Sequence, residues 1–211
     1  MSKLSEAMDE KTAASATVSP AVQFSSEQRR VLLGIAHRAI LVAIEHGSPS
    51  KVSLETLPVP PDLAEVRGVF TTLYIDGNLR GCVGYAAPVA PLYRAVAETA
   101  CAAAFDDARF APVTRDEALR LEVSLSVLSR VFSIDPTAVE VGRHGLIISQ
   151  GNRRGLLLPQ VPVEHGWDRE TFLEQTCRKA GLPEDSWKQG AILEAFTAEV
   201  FSDGDQLRAH V

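Results

Sequence analysis

Val69-Phe70-Thr71-Thr72-Leu73-Tyr74-Ile75-Asp76-Gly77-Asn78-Leu79-Arg80-Gly81-Cys82-Val83-Gly84-Tyr85 decides how the rest of the chain is read. The first seven residues are β-branched or aromatic at nearly every position and read as a strand. Asp76-Gly77 is a two-residue hairpin turn, because glycine accepts positive φ without steric cost. A second strand then runs back through Leu79 to Tyr85. A turn of two residues with no irregularity sets Leu73 opposite Arg80 and Thr71 opposite Cys82. Side chains alternate along a strand, so Arg80 and Cys82 then share a face. A guanidinium beside a thiol favours the thiolate, which makes Cys82 a candidate nucleophile.

The hairpin sets the fold class. Ser25 and Gln28 form a capping box at the start of a helix whose apolar positions run from Val31 to Ala43, with Gly47 as its stop. Ser48 to Ala64 holds four prolines and reads as a loop. A second helix covers Leu92 to Phe105, alanine-rich and suited to close packing on a sheet. Thr114 and Glu117 form another capping box. From Leu121 to Leu128 the chain alternates, with Val123, Leu125 and Val127 facing inward and Glu122, Ser124 and Ser126 outward. One buried and one wet face indicate an antiparallel sheet with helices on one side. A hairpin turns at Gly151-Asn152, Asp168 caps a helix closed by Gly181, and Ala191 to Phe201 reads as a terminal strand. The expected class is α+β: an antiparallel sheet built from hairpins with helices packed on it. Residues 1–24 read as a disordered tail, 25–203 as one domain that allows a small lobe near 48–90, and 204–211 as a C-terminal tail.

Further stretches follow the hairpin in order: Asp107-Ala108-Arg109-Phe110-Ala111-Pro112-Val113-Thr114, Glu122 to Leu128, Val141-Gly142-Arg143-His144-Gly145-Leu146 and Leu158-Pro159-Gln160-Val161, with Trp167 after them. With Leu79-Arg80-Gly81-Cys82-Val83-Gly84, this ordered set resembles the AMMECR domain family, which includes AmmeMemoRadiSam system protein A. The resemblance runs from about Ser26 to Phe201. Tyr85 departs from it, standing where the family commonly has threonine or another small residue. An AMMECR-like fold is implied, as are a Memo-type protein and a radical SAM enzyme as partners in a shared pathway. No settled reaction comes with it.

Composition narrows the function. A net charge of −6 opposes general nucleic-acid binding, which needs a basic field. Hydrophobic content of 45% and charged content of 23% suit a globular protein. No apolar run reaches the roughly 20 residues of a membrane helix, and no secretory signal opens the chain, so the cytoplasm is the expected compartment. Cys82, Cys101 and Cys177 show no disulfide or C-x-x-C spacing. Cys101 and Cys177 lie on helical segments and read as small buried hydrophobes.

The enzyme reading takes Cys82 as nucleophile and His144 as its base, because imidazole titrates near neutral pH. Arg80, Gly81, Gly84, Asp107 and Arg109 would bind substrate: the arginines take an anionic group, and the glycines leave the backbone open. Against this, Asp107 and Arg109 also read as an ion pair fixing a loop, and Cys82 as a packed small residue. Glu122, Ser124 and Ser126 could line a groove or be merely solvated. Cys82, His144, Glu164 and His165 are the only conceivable metal ligands, and their spacing predicts no site; the cofactor is unknown. Three functions stay open: a thiol-dependent enzyme or modifying subunit, a non-catalytic binding module working beside Leu79–Tyr85, and an accessory factor of transcription, repair or translation machinery.

Overall fold

Two four-stranded antiparallel sheets divide the described residues, and their strands are not sorted by sequence order. The computed structural model describes residues 24–46 and 60–208. Of the tail read at 1–24, residues 1–23 lie outside the described residues, as do the Gly47 stop and the loop to residue 59. Phe24 itself packs on Phe201 with ring centres 6.0 Å apart, so it belongs to the domain. The first sheet contains β1 (Val69–Ile75), β2 (Asn78–Tyr85), β3 (Glu122–Leu128) and β8 (Ala198–Ser202), in the order β2-β1-β3-β8. The second contains β4 (Phe132–Ser133), β5 (Gly145–Gln150), β6 (Arg153–Leu157) and β7 (Ile192–Phe196), in the order β4-β7-β5-β6.

Helices α1 (Ser26–His46) and α2 (Leu92–Phe105) cover one face of the first sheet. Leu32, Ala36, Ala39 and Ile40 of α1 and Ala95, Val96 and Ala100 of α2 close over Val69, Leu73, Val123, Leu125 and Phe201 in the main core. The alternation read in β3 holds: Val123, Leu125 and Val127 are buried, while Ser124 and Ser126 face the opposite side. Both capping boxes form. The Ser25 amide donates to Gln28 Oε1 at 2.8 Å, and Thr114 opens the short α3 (Arg115–Ala118) with Glu117 reaching back. Helices α4 (Gln160–Glu164) and α5 (Arg169–Lys179) complete the second half. Helix α5 packs on β5 and β6, with Phe172 and Leu173 against Leu146 and Ala195, while Ile147 and Phe196 meet Leu128 of the first sheet. Asp168 caps α5, and Gly181 follows it at φ +71°. The fold is α+β, as the hairpins and helices imply. No helix among the described residues is long and apolar enough to cross a membrane.

Three readings need correction. Ala191 to Phe201 is not one strand. It breaks at Thr197 into β7 in the second sheet and β8 in the first. The break is pinned by the Ser129 amide donating to Thr197 O at 2.8 Å and the Thr197 amide donating to Ser129 Oγ at 2.9 Å. The chain therefore leaves the first sheet at Ser129 and re-enters it beside the same residue. Secondly, the lobe allowed near 48–90 does not stand apart over its described residues, because β1 pairs along its length with β3. Thirdly, the C-terminal tail begins as a helix, α6 (Asp203–Arg208), where the Asp203 carboxylate accepts from the Val123 amide and meets His37.

Candidate functional site

Asp76 and Gly77 both have positive φ, +50° and +75°, and the turn joins Ile75 to Asn78 as read. The register then slips. Tyr74 faces Leu79 but Leu73 faces Gly81, so Arg80 is the extra residue of a β-bulge. Downstream pairing moves by one, placing Cys82 opposite Thr72 and Val83 opposite Thr71. This corrects the expected pairing of Leu73 with Arg80 and of Thr71 with Cys82.

The bulge sends Arg80 to α3. Its Nε donates to Glu117 Oε1 at 2.9 Å, and its Nη2 donates to Ala111 O at 2.8 Å and Glu117 Oε2 at 3.2 Å. Its Cζ lies 5.9 Å from the Phe110 ring centre. The Arg80 guanidinium, with the Thr114 amide behind it, holds the Glu117 carboxyl down at about 2. Arg80 is thus a tie between strand and helix, not the partner of a thiolate and not an open anion binder.

The glycines are filled. A Cβ on Gly81 would meet Ala103 O at 2.1 Å, so this glycine lets α2 press onto β2. A Cβ on Gly84 would meet the Phe70 ring at 2.3 Å, so its cross-strand neighbour lies over it. Neither leaves a gap for substrate. Tyr85 turns its hydroxyl to Glu98 Oε2 on α2 at 3.2 Å, and its own ionisation is pushed up first by burial and then by that carboxylate.

Asp107 and Arg109 form the ion pair that fixes a loop, and they do more. Asp107 Oδ1 accepts from the Arg109 amide and Nε, while Oδ2 accepts from Arg109 Nη2 at 2.7 Å and from the Cys82 amide at 2.9 Å. Arg109 Nη2 in turn reaches Cys82 O at 3.5 Å. Acceptor and donor therefore stand beside β2 where a neighbouring strand would otherwise offer its peptide group. The Arg109 guanidinium, and then the Cys82 amide, hold the Asp107 carboxyl well below the usual carboxylate range.

Cys82 itself is half-buried, whereas Cys101 and Cys177 are buried. Burial pushes the Cys101 thiol up to about 11 and raises that of Cys177. The Cys82 Sγ accepts from Thr72 Oγ1 at 3.3 Å. His144 is not its base. It precedes β5, is 3% exposed, and packs edge-on to Phe132 with ring centres 6.0 Å apart. Its Nδ1 accepts from the Glu140 amide at 3.0 Å, so the neutral ring carries its proton on Nε2, which has no partner among the described residues. Burial lowers its pKa, which disfavours imidazolium. The following Gly145 makes room for Phe196, whose ring would meet a Cβ at 2.2 Å, not for a ligand.

The open face of the first sheet carries a different feature. Cys82, Thr72, Ser124 and Ser202 lie in one cross-strand row, and Ser126 and Val200 pair in the next. Between this face and the second half runs a groove of about 770 Å³. Its floor is Thr72, Tyr74, Ser124 and Ser126. Its far wall is Gly142, Arg143, Pro159, Gln160, Val163 and Glu164, and its near rim is Thr197 to Val200. That volume falls within the roughly 300–1,000 Å³ of small-ligand pockets. Of the wet face of β3, Ser124 and Ser126 therefore line a groove, while Glu122 is exposed and lies outside it. Val141–Leu146 splits its neighbours between two environments: Arg143 turns to the groove and His144 to the core. Gln160 and Val200 carried no signal of this role in the sequence. Among the described residues no three histidine, cysteine or carboxylate side chains converge as a metal site, and His165 stacks on Trp167 at 4.7 Å.

A model of the AMMECR1 family matches residues 33–201. The chain belongs to the AMMECR1 family. Protein MK0488 of Methanopyrus kandleri is 42% identical over 189 residues, covering 84% of this chain and 89% of that protein. Protein PH0010 of Pyrococcus horikoshii is 41% identical over 193 residues, covering 86% and 92%. The crystal structure of PH0010, described as an uncharacterized protein, matches with a TM-score of 0.68 over 85% of this chain and 93% of that one. AMMECR1 membership thus agrees with the resemblance read from Leu79–Gly84 and the stretches after it. Of those stretches, Glu122–Leu128, Val141–Leu146 and Leu158–Val161 each contribute to the groove.

Proposed function

We propose that this AMMECR1-family protein is a non-catalytic binding module whose ligand lies in the groove between the two sheets. The observation that carries the reading is the floor: hydroxyls of Thr72, Ser124 and Ser126 stand on alternate positions of two paired strands and face the open volume. No thiol or imidazole lines it among the described residues. Rigid strands bearing hydroxyls, with Arg143 and Gln160 opposite, make a surface for polar recognition rather than bond breaking. The Memo-type and radical SAM partners implied by the resemblance, and a cytoplasmic setting, belong to this proposal, with the groove as the place where such a pathway meets the protein.

The test is a fragment screen by thermal shift, followed by amide chemical-shift mapping. Binders should move Thr72, Ser124 and Ser126, and lose affinity in Ser124→Val and Arg143→Ala. A ligand at 100 times its dissociation constant adds about 2.7 kcal/mol. Binders that all map away from the groove overturn the reading.

One observation favours a thiol-dependent modifying subunit as a second reading. Cys82 is the most accessible of the three thiols and continues the row of Thr72 and Ser124 toward the sheet edge. On that reading the groove binds and Cys82 reacts, without His144. Loss of a ligand adduct in Cys82→Ser, with groove affinity retained, would support it; an adduct that persists in Cys82→Ser would exclude it.

A further inference from the structure

The two edges of the first sheet are treated differently. At the β2 edge, Asp107 accepts the Cys82 amide and Arg109 donates to the Cys82 carbonyl, closing the main chain to a further strand. Unpaired edges invite another chain, and charged side chains are a usual means of blunting them. Among the described residues the opposite edge, β8, pairs only with β3. Antiparallel hydrogen bonding alternates along a strand. The exchange between Ser129 and Thr197 fixes the phase, so Thr197, Glu199 and Phe201 bond inward while Ala198 and Val200 present their amides and carbonyls outward. Val200 is 65% exposed, and both residues lie on the groove rim. The Glu199 side chain is turned away, to the Phe24 amide and Arg29, so the groove meets the chain there through its backbone.

We propose that β8 takes up an extended, basic polypeptide segment as a fifth strand of the first sheet, the segment lying along the groove rim from Thr197 to Val200. This rests on the groove reading and names its occupant. The four rim residues give roughly 13 Å of strand for pairing. Main-chain bonds to Ala198 and Val200 supply the docking, and alternate side chains of the guest stand beside Val200 on the groove face of the sheet. Charge selects the guest. Arg143 is matched by Glu140 and Glu199 by Arg29, but Glu164 on the far wall has no ion pair among the described residues. A lysine or arginine of the guest meets that carboxylate, within a chain whose net charge is −6.

The experiment pans the full-length chain against random phage-displayed peptides about ten residues long, the span of two ordinary strands. Enriched sequences should alternate β-branched residues with lysine or arginine and lack proline. A synthetic, labelled copy of one should bind with the Ala198 and Val200 amides newly protected from hydrogen exchange. N-methylating alternate amides of that peptide should weaken it about tenfold, because the paired donors are lost while the side chains remain. Glu164→Lys should weaken the unmethylated peptide. Val200→Pro should abolish binding while sparing the pairing with β3, since the missing amide points outward; Val200→Lys serves where proline disturbs folding. No enrichment, indifference to N-methylation, or protection away from β8 each overturns strand addition. A ligand that shifts Thr72, Ser124 and Ser126 while leaving Ala198 and Val200 exchanging freely also overturns it but keeps the groove. Absence of any groove ligand overturns both.

Discussion

Arg80-Gly81-Cys82 and Arg143-His144-Gly145 look alike on paper: an arginine, a reactive side chain and a glycine with room beside it. Folded, they part company. At the first, arginine and glycine are both consumed by packing, Arg80 on Glu117 and Gly81 under Ala103, and only the thiol remains accessible. At the second, the arginine faces the groove while the imidazole is buried on Phe132 and the Glu140 amide. Adjacent residues point to opposite sides, so the side that meets solvent decides which one can act. Reactivity in the abstract does not decide it.

The comparison breaks first at the glycines. Gly81→Ala should destabilise by about 3 kcal/mol, because backbone atoms of α2 cannot yield to a methyl group. Gly142→Ala, at φ +84° and 3.1 Å from Val163 Cγ2, should cost about 1–2 kcal/mol from its left-handed backbone. Urea unfolding of the two variants orders them. A Gly81→Ala protein as stable as wild type would mean that the glycine is there for access after all.

Labelling comes next. Brief iodoacetamide treatment near neutral pH should modify Cys82 at least about tenfold faster than Cys101 or Cys177, whose thiols are buried and raised in pKa. Peptide mass spectrometry ranks the three directly, and parity among them would place Cys82 with the packed residues.

A smaller effect is the acid limb of stability. The Glu117 carboxyl titrates from an ordinary 4.5 down to about 2 in the folded protein. Below pH 4.5 the unfolded chain binds more protons than the folded one. The stabilisation is therefore complete above that value and lost as pH falls through about 2. Denaturant titrations of Glu117→Gln should show a shallower slope in that window. His144 has the same sign in another range: its folded pKa is depressed below 6.5, so stability should decline as pH drops beneath 6.5, and His144→Asn should flatten that decline.

The smallest expected effect is none. His144→Ala should leave the pH profile of Cys82 labelling unchanged. Among the described residues Cys82 bonds to Thr72, Asp107 and Arg109, and His144 meets Glu140 and Phe132, with no contact joining the two. A shift in that profile would bring them back together.

Much of the first sheet was legible from local pattern. The strict alternation of Val123, Leu125 and Val127, the Asp76-Gly77 turn and the two capping boxes are each set by neighbours within a few residues. What escaped depends on distant partners. The bulge at Arg80 exists because Glu117 and Ala111 draw its side chain aside, and nothing between Ile75 and Tyr85 announces that. The split at Thr197 depends on Ser129, far away in the chain, and β4 is only two residues long. The groove was half visible, as the wet face of β3. Its walls come from residues as far apart as Thr72, Arg143, Gln160 and Val200, which no local period relates.

The return of β8 to the first sheet has a temporal meaning as well. During synthesis, β1, β2 and β3 emerge together, but their fourth strand follows only after Ser129 to Thr197 has been made, roughly 3–14 s later at five to twenty residues a second. For that interval the β3 edge stands uncovered on the nascent chain. The vulnerable moment of this molecule on the ribosome is therefore a late one, and it ends when the last strand closes over Ser124, Leu125 and Ser126.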